Sequence, residues 1–173
     1  MRRGAFTLIE MMVSITILSI MLIFLYKSYA ELGSSNAYFK EKSMKLATIE
    51  AKKEALFLDI TLSHAKSIAI HNQDRVSDVV FMQSSNTLYN NINPYIAYIK
   101  KGEKLYRLES HRAFKEYPLS SDSDFFAESM GEVKRFRLYK KSVDANSSEE
   151  YLLDVELRGE EPFLYKLKPL NEY

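Results

Sequence analysis

A single carboxylate, Glu10, stands inside the apolar run FTLIEMMVSITILSIMLIFLY from Phe6 to Tyr26. Placing a charged side chain within a membrane helix costs about 2.5–3.5 kcal/mol on insertion scales, so such a residue marks a function with a specific partner. Other candidate chemistry is sparse. His64 and His71 are seven residues apart and would share a helix face, but roughly 10 Å along the axis is too far for two ligands of one metal. Asp122 and Asp124 lie in a Ser-rich loop without the Gly and closing Glu of an EF-hand. Ser110-His111 has no arranged base or orienting carboxylate, so the sequence predicts neither a catalytic residue nor a metal site. Lys134-Arg135-Phe136-Arg137 with Lys140-Lys141 mixes basic and aromatic residues; alternation puts Arg135 and Arg137 on one face and Lys134 with Phe136 on the other, as in a solvated strand.

Composition narrows the classes further. With 24 Lys+Arg against 23 Asp+Glu, the net charge of +1 gives no footprint for nucleic acid, and none is expected as a partner. The absence of cysteine removes disulfide frameworks and thiol chemistry, and nothing calls for a cofactor. The apolar run would make a helix of roughly 31 Å, the thickness of a bilayer core. Arg2 and Arg3 precede it, so the positive-inside rule keeps the N-terminus in the cytoplasm and sends everything after Lys27 across the membrane. Three readings fit this anchor: a secretory signal cut near Ser28-Tyr29-Ala30, a plain signal anchor, or a signal in which Glu10 has a purpose.

Beyond the anchor, proline is absent before Pro94, and between Ala5 and Lys101 the only glycine is Gly33, which permits a very long helix. Gly33-Ser34-Ser35-Asn36 is the expected soft spot: a kink, a local melt or a break. Met44, Ala47, Ala51, Ala55, Leu58, Leu62, Ala65 and Ala69 recur every three or four residues as one apolar stripe, with Lys40, Glu41, Lys45, Glu50, Lys52, Lys53 and Glu54 solvated, and the helix is expected to end near His71-Asn72. The period then becomes two. Strands are expected at Val79–Met82, as a hairpin at Tyr95–Lys100 and Lys104–Glu109, at Val133–Tyr139, at Tyr151–Arg158 and at Phe163–Leu167. The fold class is α+β, a long N-terminal helix on antiparallel sheet: residues 1–5 precede a transmembrane helix at 6–28, its continuation across the membrane at 29–72 and a β-rich head at 73–173.

The segment RRGAFTLIEMMVSITILSIML resembles the N-terminal signal of type IV prepilins and type II secretion pseudopilins. The resemblance implies a basic leader carrying Arg2 and Arg3, removed by a prepilin peptidase that also methylates the new N-terminus. FTLIE from Phe6 to Glu10 matches the start of the mature chain in that family. There Gly usually precedes Phe directly, whereas Ala5 intervenes here. The cut between Ala5 and Phe6 keeps both the aromatic first residue, then N-methylated Phe6, and Glu10 as fifth residue. The cut between Gly4 and Ala5 is the alternative. The resemblance also implies that Glu10 meets the terminal amine of a neighbouring subunit.

Further along, EALFLDITLSHAKSIAI and PYIAYIKKGEKLYRLES, with Leu105, Tyr106 and Arg107, resemble the long helix and hairpin of J-type minor pseudopilins. This implies a non-enzymatic minor subunit at or near the tip of a type II secretion pseudopilus. Its implied partners are other major and minor pseudopilins, the peptidase and methyltransferase, and an inner-membrane assembly platform. The alternatives are a minor pilin of a type IV pilus or DNA-uptake apparatus, or a membrane-anchored periplasmic enzyme or binding module.

Overall fold

A computed structural model of the chain describes residues 7–64, 66–119, 124–141 and 149–170. These fall into two compact units that meet at Glu50 and Ala51. The first unit holds most of α1, which runs Leu8–Thr61 without interruption. Its apolar side chains from Leu8 to Tyr26 are all exposed, and α1 is long and apolar enough to cross a membrane. Small polar residues in this stretch are satisfied locally: Ser14 Oγ donates to the Glu10 carbonyl, Thr16 Oγ1 to Met12 and Ser19 Oγ to Ile15, each at 2.8 Å. The expected soft spot Gly33–Asn36 is helical, neither melted nor broken, and Ser34 Oγ donates to the Glu31 carbonyl at 3.0 Å.

The second unit contains the end of α1 and seven strands: β1 Ala69–Asn72, β2 Asp78–Gln83, β3 Tyr95–Lys101, β4 Lys104–Ser110, β5 Phe126–Lys140, β6 Tyr151–Leu157 and β7 Phe163–Leu167. They form an antiparallel meander in sequence order, so the fold is α+β, a pilin-like long helix followed by a curled antiparallel sheet. The curl originates in β5. Its first half pairs with β4 and its second with β6, and the register shifts opposite Leu105/Tyr106 and again between Val133 and Arg135. Such bulges bend a strand and increase its twist. Gly131 sits at the first with φ +107°, a conformation that an L side chain rarely adopts. The bend brings Phe136 beside the start of β2, where its N–H donates to the Val76 carbonyl at 3.0 Å.

The main core joins Leu56 and Ile60 of α1 to Val80, Met82, Ile96, Tyr98, Leu105, Phe136 and Leu153, among others. Each such aliphatic or aromatic side chain removed from water stabilises the fold by about 1.5–3 kcal/mol. A smaller cluster, Val79, Phe81, Ala97, Ile99 and Leu108, lies on the opposite face of β2–β4, covered in part by Tyr106, Phe114 and Leu119.

Three expectations need correction. The helix ends at Thr61, not near His71-Asn72, and residues 69–72 form β1. No Gly or Pro stops it; one local side-chain bond and two tertiary bonds hold its end. Ser63 Oγ turns back on the Ile60 carbonyl at 2.7 Å, Ser85 N–H takes the Leu62 carbonyl at 3.0 Å, and Leu170 N–H takes that of Thr61 at 2.8 Å. Second, the buried helix positions are Ala55, Leu56, Asp59 and Ile60, while Ala51 is exposed and Leu58 only half-buried. The face therefore turns away from the alanine stripe, and Lys52 and Lys53 are half-buried, with the Lys53 ammonium 5.6 Å from the centre of the Phe163 ring. Third, the bulge at Lys134 breaks the expected alternation: Phe136 is buried and Lys134 is exposed.

Candidate functional site

Two arrangements of polar side chains stand out, one in each unit. At the start of α1, Thr7 N–H and Thr7 Oγ1 both donate to Glu10 Oε2, at 2.9 and 2.8 Å, and Glu10 N–H points back to Thr7 Oγ1 at 3.4 Å. This is a reciprocal capping box. It satisfies donors that a helix otherwise leaves unpaired and sets an anion at the positive end of the helix dipole. Glu10 thus has local partners even in the isolated chain. Arg2, Arg3, Gly4, Ala5 and Phe6, the other expected signal residues, lie outside the described residues.

The second arrangement is a buried cluster that the sequence reading did not single out. Asp59, in the last turn of α1, is fully buried. Arg107 of β4 grips it bidentately, with Nε donating to Oδ2 at 2.7 Å and a terminal nitrogen to Oδ1 at 3.1 Å. Tyr98 of β3 donates its hydroxyl to Oδ2, and Asn86 its amide to Oδ1, both at 2.6 Å. The other terminal nitrogen of Arg107 donates to Glu109 Oε2 at 2.7 Å. Glu109 also accepts from Thr87 Oγ1, Leu88 N–H, Tyr89 N–H and Asn91 Nδ2, at 2.7, 3.0, 3.3 and 2.8 Å. Two carboxylates share one guanidinium, and neutral donors compensate the remaining negative charge.

The surroundings set the ionisation. Burial pushes the Asp59 carboxyl above its ordinary value, against the opposing pull of Arg107, Tyr98 and Asn86. Glu109 is also pushed up by burial, but hydrogen bonds from Leu88, Arg107 and Thr87 outweigh this and hold it below the usual glutamate value. Burial and the neighbouring Asp59 charge drive the Tyr98 hydroxyl well above its ordinary value. Arg107 is disfavoured by burial, yet its bonds to Asp59 and Glu109 hold it above its ordinary range, so it remains cationic.

The other sequence candidates are dispersed. His64 follows the end of α1 and His71 lies on β1, where its ring is 5.4 Å from that of Phe81, so they share no helix face. Ser110 Oγ donates to the Asp124 carbonyl at 2.7 Å and accepts from Arg112 N–H at 3.0 Å. Asp122 lies outside the described residues. Among the described residues, no three His, Asp or Glu side chains are gathered to hold a metal ion. The basic stretch on β5 meets carboxylates on and beside β6: Lys134 with Glu156 and Arg135 with Asp154, each at 2.9 Å, and Lys141 with Glu150 at 3.0 Å.

The family described as the prokaryotic N-terminal methylation motif matches residues 1–26. Residues 1–26 are a type IV pilin-like signal. No curated protein matches the chain. The motif supports a type IV pilin-like protein, of a pilus, a pseudopilus or a competence apparatus. It implies processing by a prepilin peptidase and assembly with other pilins, whose family members are structural subunits. The apolar helix near the N-terminus fits a single-pass membrane anchor.

The clasp makes two measurable predictions. Arg107→Met leaves two buried carboxylates without their cation and is expected to destabilise the second unit by about 3–5 kcal/mol, read from denaturant unfolding of the full chain in detergent. The pH dependence has opposite signs at the two acids. Glu109 is depressed in the fold, so its contribution is complete above the ordinary glutamate value and is lost as pH falls through its folded value. Asp59 is raised, so its contribution grows as pH falls from its folded value to its ordinary one. Glu109→Gln should remove the acid-side loss that Glu109 causes, seen as a shallower fall of Tm below the ordinary glutamate value than in the unaltered chain.

Proposed function

We propose that the chain is a minor pseudopilin, a structural subunit assembled at or near the tip of a type II secretion pseudopilus. The observation that carries this reading is Glu10, placed within the methylation motif and four residues beyond Phe6. Hydrolysis of the Ala5–Phe6 bond by the prepilin peptidase would release residues 1–5 and expose an amine on Phe6. Methylation replaces one N–H hydrogen and leaves the nitrogen basic, so near neutral pH it carries a positive charge. Phe6 and Glu10 are four residues apart in sequence, the spacing that shares one face wherever a helix runs through both positions. In a membrane, the Glu10 carboxylate of one subunit is compensated by the ammonium of its neighbour, and that pairing sets the axial register between helices. The transmembrane segment is 6–28, and the remainder lies in the periplasm. The subunit catalyses nothing itself: it adds to a filament that drives folded proteins through an outer-membrane channel, with inner-membrane machinery supplying the work. The sequence likeness at EALFLDITLSHAKSIAI and at Leu105-Tyr106-Arg107 supports the J-type minor subunit.

Two measurements test this. Intact mass after co-expression with a prepilin peptidase is expected to show loss of residues 1–5 and gain of one methyl group; a chain that keeps its Arg2-Arg3 leader, or that starts near Glu31, overturns the reading. Glu10→Ala is expected to insert normally and to fail in assembly, measured by membrane fractionation and by secretion in a strain that lacks the unaltered chain. Normal secretion by that variant would count against the proposal.

A further inference from the structure

The two buried carboxylates of the clasp have no acceptor capacity left over. Asp59 takes four donors: Arg107 Nε and Tyr98 Oη on Oδ2, a terminal Arg107 nitrogen and Asn86 Nδ2 on Oδ1. A carboxylate offers about four lone-pair sites, so Asp59 is full. Glu109 takes five: Arg107 and Leu88 N–H on Oε2, with Thr87 Oγ1, Tyr89 N–H and Asn91 Nδ2 on Oε1. All but Arg107 come from the loop between β2 and β3. The guanidinium is therefore divided unequally. Two of its nitrogens clasp Asp59 and the third holds Glu109, which keeps its remaining sites for the loop.

The loop is also tied to the end of the helix. Asn86 donates to Asp59 at 2.6 Å, and Ser85 N–H donates to the Leu62 carbonyl at 3.0 Å. Asn90 and Asn93 hold left-handed backbone, with φ of 58° and 46°. Asn tolerates that region better than most residues, but outside glycine it costs energy and persists only while surrounding contacts impose it. Suppose the last turn of α1 shifts and carries Asp59 away. Two Arg107 nitrogens and the Tyr98 hydroxyl then lose their acceptor inside the fold, where an unmet charged donor is expensive. Glu109 is already 2.7 Å from Arg107 and lies two residues along β4, on the same side of the strand. A second Arg107 bond to it must displace a loop donor, because its sites are full.

We propose that Arg107 is a two-position fork that couples the end of α1 to the β2–β3 loop. In the position observed, two nitrogens clasp Asp59 and Glu109 holds the loop. In the other, the last turn of α1 has withdrawn, two nitrogens clasp Glu109, and residues 87–91 are released. The planar guanidinium makes the change discrete, because a bidentate pair forms in few orientations. The input is a displacement of α1, which runs unbroken into the clasp. The output is the surface carrying Leu88 and Ile92, 45% and 91% exposed, held in one shape or set free.

Asp59→Asn imitates the withdrawal, because an amide cannot accept at both positions. Amide hydrogen exchange is read on the full chain in detergent. Leu88 and Tyr89 N–H, which do not touch Asp59, should exchange about tenfold faster than in the unaltered chain, while Ala97 and Leu108 in β3 and β4 stay within about twofold. Adding Arg107→Lys is the deciding step, since lysine is a point charge and not a fork. Loop protection should then return to within about threefold of the unaltered chain. Simple destabilisation predicts the opposite, because one more buried bond has been removed. If these variants do not fold, the unaltered chain decides in rising sub-denaturing urea. The Leu62 amide, bonded to the Leu58 carbonyl at 2.8 Å, and the Leu88 amide should open together and before the strands. Unchanged loop exchange in Asp59→Asn, no recovery with Arg107→Lys, or separate opening of Leu62 and Leu88 would overturn the proposal. The clasp lies in the second unit and these readouts need neither leader cleavage nor secretion, so this inference and the pseudopilin reading fail separately.

Discussion

One guanidinium organises the second unit. Arg107 is paired with two fully buried carboxylates, and each carboxylate governs a different part of the structure. Through Asp59 it fixes the last turn of α1 to β3 and β4. Through Glu109 it fixes the loop that follows β2. A buried ion pair is not in itself a large source of stability, because desolvation offsets much of its attraction. Its value here is geometric: a planar fork accepts a bidentate carboxylate in few orientations, so helix end, sheet and loop are held in one register. A load on the end of α1 would reach the sheet through Asp59 as well as through the apolar contacts of Leu56 and Ile60.

Much of this was legible in the residues. Strands β2, β3, β4, β6 and β7 and the second half of β5 lie close to where residue types and turn chemistry put them, and Tyr151-Leu152-Leu153-Asp154-Val155 alternates in the structure as it does on paper. The signal at residues 1–26 is likewise written locally, in charge, apolar length and one misplaced acid. Strand β1 was not legible, because four residues with mostly exposed side chains carry no period-two signature. The first half of β5 was missed because Glu128, Ser129 and Gly131 interrupt its pattern at the bulge.

The clasp was missed for a different reason, although a trace of it existed. Leu105 points into the core, so alternation along β4 sends Arg107 and Glu109 inward too. Two opposite charges on the inward face of a strand announce a buried pair. Asp59 gives a weaker hint as an acid in the final turn of a helix, where the dipole disfavours it and a cation must compensate. Neither hint could identify the other's partner, because Arg107 and Asp59 meet only through tertiary packing.

The end of α1 belongs to the same class of nonlocal fact, and it bears on the order of events in biosynthesis. Thr61 is the helix terminus because Ser85 and Leu170 supply the donors there. Leu170 leaves the ribosome long after Thr61. Until it arrives, the stretch that becomes β1 contains no glycine or proline to stop it coiling onward. The boundary between rod and sheet is thus a late decision, taken in part by a residue far downstream of the helix it ends.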